Sequence, residues 1–138
     1  MKIIVDAMGG DNAPLEIVRG ALNAAKARPG LEIVLVGRED EVRSAAAQCG
    51  GLPGTVTVAG ASQVIDMHDD PATAFKTKKD SSMTVGLNLL KDGAGDAFVS
   101  AGSTGALLSA GTLLVKRVKG IRRAAMAPLV PTAGRGLV

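Results

Sequence analysis

Aromatic side chains are almost absent from this chain, which has two phenylalanines, no tyrosine and no tryptophan. Its core therefore has to be built from Val, Leu, Ile, Met and Ala. Aromatic platforms on which bases could stack are also missing, so nucleic-acid binding is not expected. The 18 glycines instead predict tight turns and close approaches between backbone segments.

Cysteine is also scarce, because Cys49 is the only one in the sequence. An intrachain disulfide is excluded, which suits a reducing cytoplasm. Cys49 falls on an apolar helical stripe with no histidine nearby, so we expect a core residue rather than a nucleophile. The apolar runs are far shorter than the ~20 residues of a membrane span, and no charged-then-apolar leader opens the chain. The sequence therefore predicts a cytoplasmic protein.

Charge is divided unevenly along the chain. Residues 1–75 carry 6 basic and 10 acidic side chains, a net charge of −4, whereas residues 76–138 carry 10 basic and 3 acidic ones, a net charge of +7. The second half would attract an anion such as phosphate or an acidic protein. Its densest cluster is expected to be solvated surface, with a docking patch for an acidic protein as the alternative. The cluster comprises Lys116, Arg117, Lys119, Arg122 and Arg123.

Short β-branched runs alternate with segments of helical period, which is typical of an α/β protein with a mainly parallel sheet and right-handed crossovers. The strands are predicted at residues 2–5, 32–36, 55–58 and 96–99. The helices are predicted to begin at Pro14, at Glu39, at Ser81 or Asp80, and at Ser103 or Thr104. Residues 60–80 are predicted to be the least regular part, and residues 1–138 to form a single domain.

The last part of the chain carries three further expectations. The apolar stripe of the last helix is predicted to be Leu107, Gly111, Leu114 and Val118. Residues 124–130 form an apolar run that ends at Pro131, and residues 134–138 resemble a turn entering a new strand. We therefore expect the N-terminal fragment of a longer enzyme.

The first candidate site follows the first strand, at Asp6–Pro14. Gly9 and Gly10 let backbone N–H groups approach a ligand, and the N-terminus of the next helix binds phosphate readily. Asp6 and Asp11 could accept a proton, orient a donor or hold a metal. The alternative is a tight turn in which Asn12 caps the helix. The spacing matches neither a dinucleotide fingerprint nor a P-loop.

The second candidate site follows the last strand, at Ser100–Ala106. Ser103 and Thr104 stand with Gly102 and Gly105 at a strand-to-helix junction, where hydroxyls and backbone amides make an anion cradle without a lysine. The same donors could stabilise the oxyanion of acyl transfer. The alternative is a capped helix whose glycines serve packing.

The third candidate site is Lys76–Met83, in which three lysines precede a helix start. Lys76, Lys78 and Lys79 could hold phosphate, together with Ser81 and Ser82, or meet an acidic carrier protein. A solvated charged surface is the alternative.

Residues 66–70 mix His68 with acidic side chains, a composition that suggests metal or acid–base chemistry. A lone histidine in a polar loop usually does neither, so no metal site is predicted. The sequence also has no zinc-ligand spacing, no GxSxG elbow and no sign of a catalytic triad.

These segments, in this order, resemble the phosphate acyltransferases of bacterial phospholipid synthesis. The resemblance runs from Val5–Pro14 through Lys78–Met83 and Asp96–Ala106, and ends in the Pro128 and Pro131-Thr132 region. Two positions depart from the family pattern: Ser103 replaces the usual asparagine, and Ala124 stands where a proline is common.

The resemblance implies a three-layer α/β/α fold similar to that of isocitrate and isopropylmalate dehydrogenases, and a homodimer. The implied reaction converts acyl-ACP, the acyl carrier protein thioester, and inorganic phosphate into acyl phosphate and free ACP. Acyl phosphate then feeds the synthesis of phosphatidic acid. No cofactor is expected. Family members also associate peripherally with the membrane, so the same is expected at the inner face of the cell membrane.

The implied mechanism places phosphate between the two glycine-bearing loops. Backbone amides, Ser103 and Thr104 would hold it, with one or more of the three lysines. Phosphate is ionised at neutral pH and would attack the thioester carbonyl directly, so positioning and oxyanion stabilisation suffice. The residues expected to act in catalysis are Asp6, Asp11 and Lys79, with the aspartates orienting the lysines.

Two other functions remain open at this stage. An oxidoreductase of the isopropylmalate dehydrogenase type would bind a nicotinamide cofactor and a divalent metal, and the missing fingerprint speaks against it. A non-catalytic module would bind acyl carrier protein through its basic half, with strong salt dependence and no turnover.

Overall fold

Four parallel strands form one sheet in the computed structural model, which describes residues 1–127. The strands are β1 (Lys2–Asp6), β2 (Glu32–Gly37), β3 (Val56–Gly60) and β4 (Ala97–Val99). Their order across the sheet is β3-β2-β1-β4, and every neighbouring pair is parallel. The predicted strands are confirmed, with ends that differ by one or two residues.

Helices connect the strands. They are α1 (Leu15–Ala27), α2 (Glu39–Gln48), α3 (Ala74–Thr77), α4 (Ser82–Lys91) and α5 (Thr104–Ala110), and α5 continues as a π-helical segment, Gly111–Val115. The predicted helix starts are confirmed, whereas α3 lies inside the segment predicted to be irregular. Among the described residues, no helix has the length and apolar character to span a bilayer.

The helices cover both faces of the sheet, which confirms the predicted three-layer α/β/α architecture. Side chains alternate across a strand, so Ile33 and Leu35 of β2 face α1 and α2, while Val34 and Val36 face the opposite side. There they pack in the layer formed with Ile4 and with α4. Both faces of the sheet are therefore buried, as the long apolar strands require.

The chain changes direction across the sheet after β3. From β1 it moves outward through α1, β2 and α2 to β3, and then returns through α3 and α4 to place β4 on the other side of β1. The strand order therefore reverses between β1 and β4. Ligands of open α/β sheets bind outside the carboxyl ends of the strands at such a point.

Asn12 does not cap α1, which corrects the alternative interpretation of the first loop. Pro14 is the N-cap residue, and no side chain accepts a hydrogen bond there. Asn12 lies three residues before the first helical residue. It contributes instead through its backbone carbonyl, which accepts from the Glu16 amide at 3.2 Å.

The predicted stripe of the last helix is wrong at Val118, which lies beyond the helix and is 78% exposed. The helical conformation stops at Val115 because Lys116 has a φ of +75°, which a right-handed helix cannot accommodate. The basic cluster, Lys116 to Arg123, therefore lies after the end of the helix. Residues 124–127 of the predicted apolar run are irregular and exposed, whereas residues 128–130 and 134–138 lie outside the described residues.

Gly86 tests the packing of α4 on the sheet. A Cβ atom at Gly86 would lie 2.3 Å from Cε2 of Phe98, whereas one at Gly20 of α1 would meet no heavy atom within 4 Å. We expect Gly86→Ala to destabilise the fold by about 1–3 kcal/mol through overpacking. Gly20→Ala should stabilise it by about 1 kcal/mol, because alanine is the better helix former. Urea unfolding measures both, and equal stabilisation by the two variants would contradict the close contact.

Candidate functional site

Two loops leave the same edge of the sheet where the strand order reverses. Residues 7–12 follow β1 and are called the first glycine loop; residues 100–105 follow β4 and are called the second glycine loop. Val5 and Val99 are paired in register, so the two loops begin side by side. The fold thus brings together two of the three segments that the sequence singled out.

Asp6 is buried, with 2% of its surface exposed, and it joins the two loops. Its Oδ1 accepts a hydrogen bond from the Met8 amide at 3.1 Å, and its Oδ2 accepts one from the Ser100 hydroxyl at 2.8 Å. The Ser100 oxygen in turn accepts from the Gly102 amide at 3.1 Å. Asp6 and Ser100 therefore hold the loops together, and no lysine is among the hydrogen-bond partners of Asp6.

Gly9 and Gly102 let the two loops touch. A Cβ atom at Gly9 would lie 2.7 Å from Oδ2 of Asp6 and 2.8 Å from both the Gly102 nitrogen and Oγ of Ser100. A Cβ atom at Gly102 would lie 3.3 Å from Cα of Gly9. The contact has no room for a side chain, so both positions require glycine for packing.

A cavity of about 240 Å³ lies beside this contact. Its third wall is a segment that follows β3, residues 64–70, which we call the acidic loop. The polar and charged groups of the wall are Asp11 of the first glycine loop, Asp66 of the acidic loop and Ser103 of the second glycine loop, with Gly10 and Gly102 between them. The cavity therefore combines backbone, a hydroxyl and two carboxylates.

Lys78 holds the acidic loop in place. Its Nζ donates to the Val64 carbonyl at 2.9 Å and to Oδ2 of Asp69 at 2.5 Å, and lies 3.8 Å from Oδ2 of Asp66. The same Asp69 oxygen accepts from the Asp66 amide at 2.8 Å. The hydrogen bond from Lys78, reinforced by the one within the loop backbone, lowers the pKa of Asp69 below its usual value.

The three predicted lysines do not line the cavity. Lys78 is engaged by the acidic loop, whereas Lys76 and Lys79 are exposed to solvent. The ammonium group of Lys76 lies 5.6 Å from the ring centroid of Phe75. Their role in holding phosphate stays a prediction.

Ser81 and Ser82 are buried at the start of α4. The Ser81 hydroxyl accepts from the Thr84 amide at 3.2 Å and donates to the Thr84 hydroxyl at 2.8 Å, which confirms Ser81 as the N-cap. The Ser81 hydroxyl is therefore already hydrogen-bonded to Thr84, both as donor and as acceptor. The assignment of Ser81 and Ser82 to phosphate likewise stays a prediction.

Ser103 and Thr104 face two different spaces. Ser103, 6% exposed, lines the cavity and caps α5 by accepting from the Ala106 amide at 3.4 Å. Thr104 lines an apolar groove of about 470 Å³ formed with the side chains of α5, among them Leu107 and Leu108. Two consecutive residues at the start of α5 therefore line the cavity and the groove.

Asp66 is the site residue that sequence reasoning missed. The sequence showed an acidic segment around His68, but nothing in the spacing indicated that it lies against loops 55 residues before it and 35 residues after it. Within residues 1–127, no three His, Cys, Asp or Glu side chains are grouped to hold a metal ion. The acidic loop serves instead as a wall of the cavity.

Known proteins resemble the whole chain. A family model described as "Fatty acid synthesis protein" matches residues 1–138. A phosphate acyltransferase of Acetivibrio thermocellus is 46% identical over 139 residues, which cover 100% of this chain and 41% of the relative. One of Bacillus cereus is 44% identical with the same coverage, and one of Thermoanaerobacter pseudethanolicus is 48% identical over 96% of this chain and 39% of the relative. The chain spans about two fifths of the length of these relatives.

Ser100→Ala tests the link between the two glycine loops. The substitution leaves Oδ2 of the buried Asp6 and the Gly102 amide without their partner, so we expect a loss of about 1–3 kcal/mol in the free energy of unfolding. Ser44→Ala, on the exposed side of α2, should change it by less than about 0.5 kcal/mol. Urea unfolding compares the two, and an equal effect would show that the link contributes nothing.

Lys78→Met tests the anchoring of the acidic loop. Lys78 lowers the pKa of Asp69 below the ordinary aspartate pKa of about 3.9. The contact between the two side chains therefore stabilises the fold at pH values above about 3.9. This stabilisation is lost as the pH falls through the lowered pKa of Asp69. In Lys78→Met the pKa of Asp69 should rise toward its usual value, as followed by carbon NMR of the carboxyl group. Lys91→Met, which removes an exposed lysine from α4, should leave the titration unchanged.

Proposed function

The chain belongs to the fatty acid synthesis protein family, and on that premise we propose that the protein transfers a fatty-acyl group from acyl carrier protein to inorganic phosphate. The name phosphate acyltransferase, which the relatives carry, supports phosphate as the acceptor. The family description supports a donor from fatty acid synthesis. The acyl phosphate produced would serve phospholipid synthesis by way of phosphatidic acid.

One observation carries the proposal: consecutive residues at the start of α5 line two different spaces, Ser103 the polar cavity and Thr104 the apolar groove. Phosphate needs hydrogen-bond donors, and a fatty-acyl chain needs an apolar surface. Phosphate in the cavity and the acyl chain in the groove would bring the two reacting atoms together at the start of α5. Such positioning supplies a large part of the rate enhancement in group transfer.

The reaction then needs little further chemistry. A phosphate oxygen attacks the thioester carbonyl, the new C–O bond forms, and the C–S bond breaks to release the carrier thiolate. The Ala106 amide already donates to Ser103. The Thr104 and Gly105 amides have no acceptor within the helix, so they and the Ser103 hydroxyl can hold phosphate or the developing oxyanion. Asp6 acts as a positioning residue here, because its oxygens already hold Met8 and Ser100.

Positive charge outside the cavity would guide both substrates. Lys76 and Lys79 are exposed near the anchored acidic loop and can attract phosphate over a distance. Lys116 and Arg117 line the apolar groove and belong to the exposed basic cluster. That cluster is the proposed docking surface for acyl carrier protein, an acidic partner. The homodimer and the peripheral membrane association belong to the same proposal through the family resemblance.

The test is phosphate-dependent formation of acyl phosphate from long-chain acyl-ACP, trapped with hydroxylamine. Ser103→Ala removes the buried hydroxyl donor, and we expect kcat/KM for phosphate to fall roughly ten- to a hundredfold, the value of a hydrogen bond to a charged group. Ser103→Asn should retain activity, since asparagine is the usual residue of the family and also caps helices. Ser109→Ala, further along α5, is the matched control.

Two outcomes would contradict the proposal in different ways. If a full-length protein that contains this chain forms no phosphate-dependent product, the acyltransferase assignment fails, and titration with NAD and magnesium tests the oxidoreductase alternative. If the protein is active but Ser103→Ala matches Ser109→Ala, the reaction stands and the cavity is the wrong site.

A further inference from the structure

The cavity has an unexpected charge for an anion site. Asp11 and Asp66, both also exposed to solvent, are among its lining residues, and no Lys, Arg or His side chain is among those described. Lys78, the nearest candidate, is directed to Val64 and Asp69 instead. A bare oxyanion would meet acceptors on two sides, and like charges close together repel.

The Asp66 carboxylate is held as part of the wall. Its Oδ1 accepts from the His68 amide at 2.7 Å, and its Oδ2 lies 3.8 Å from Nζ of Lys78. Its own backbone amide donates to Asp69, which Lys78 also binds. These contacts orient the Asp66 carboxylate beside the cavity, while its side chain stays 57% exposed.

Ser103 supplies the opposite hydrogen-bonding character. It is more than nine-tenths buried and lines the cavity. Its oxygen accepts from the Ala106 amide, and the hydroxyl proton has no acceptor among residues 1–127. The hydroxyl can therefore donate its proton to a ligand in the cavity.

A ligand for this cavity must therefore accept hydrogen bonds and also donate them. Ionised carboxylates only accept, so an oxyanion beside Asp11 and Asp66 has to bring its own proton. Inorganic phosphate keeps one or two protons near neutral pH, whereas sulfate keeps none. We propose that Asp11 and Asp66 make the cavity selective for protonated phosphate over sulfate. This inference rests on the proposed function. It adds that the cavity distinguishes two anions of the same shape by the proton that phosphate carries.

The experiment is isothermal titration of the protein with sodium phosphate and with sodium sulfate, at neutral pH and matched ionic strength in chloride. We expect phosphate to bind at least tenfold more tightly than sulfate. In Asp66→Asn and in Asp11→Asn the new amide can donate as well as accept, so the phosphate-to-sulfate ratio should fall roughly tenfold or more, mainly because sulfate binds better. Circular dichroism and thermal unfolding verify that each variant is folded.

The ratio separates hydrogen bonding from simple charge. The titrations are repeated at about pH 8.5, where phosphate is the singly protonated dianion and carries the same charge as sulfate. Under that condition the loss of one negative charge would by itself strengthen both anions together and leave the ratio unchanged. Asp92→Asn, which makes the same change in the residue after α4, should also leave the ratio unchanged. An unchanged ratio in both cavity variants, or equal binding of the two anions by the unaltered protein, overturns the selectivity and leaves the proposed function standing. If the unaltered protein binds neither anion, the phosphate site of the proposed function fails along with this inference.

Discussion

The buried carboxylate of Asp6 is the constraint on which the site depends. Parallel strands bring β1 and β4 to the same edge of the sheet, but pairing alone does not determine how the loops beyond them meet. Asp6 does so by accepting hydrogen bonds from Met8 in its own loop and from Ser100 in the other. A buried carboxylate is stable only when such donors satisfy it. The link therefore has to form whenever the sheet does.

A second set of contacts sets the far wall of the cavity. Lys78 holds Val64 and Asp69, while Asp80 accepts from the amide and the hydroxyl of Ser62. The hydrogen bond from the Ser62 hydroxyl, followed by the one from its amide, lowers the pKa of Asp80. Lys78 and Asp80 thus anchor the chain that follows β3, including the acidic loop. The residues directly after them begin α4. The charged groups of Lys78 and Asp80 therefore stabilise the tertiary structure.

Together these contacts leave a cavity of mixed hydrogen-bonding character. Lys78 is paired with Asp69 of the acidic loop and does not line the cavity. The cavity is instead lined by backbone, by the buried hydroxyl of Ser103 and by two aspartates. Hydrogen bonds in a partly enclosed space discriminate by the number and direction of protons, whereas a lysine responds mainly to net charge. The candidate site therefore has the hydrogen-bonding groups that the proposed recognition of a protonated oxyanion requires.

The sequence by itself determined the elements and the two glycine loops. Alternating strand and helix patterns, a helix start at Ser81 or Asp80 and another at Ser103 or Thr104, and paired glycines after strands are local signals. Local signals depend on a few neighbouring residues, and the structure then decided for Ser81 and Ser103 as the caps. Only the tertiary structure decided that Ser100 binds Asp6 and that Lys78 binds Asp69. It also decided that Asp66 and Ser103 line the same cavity. Which donor meets which acceptor across 9 to 94 residues depends on strand order and on the path of the connections. A single sequence carries no periodic pattern from which those could be deduced.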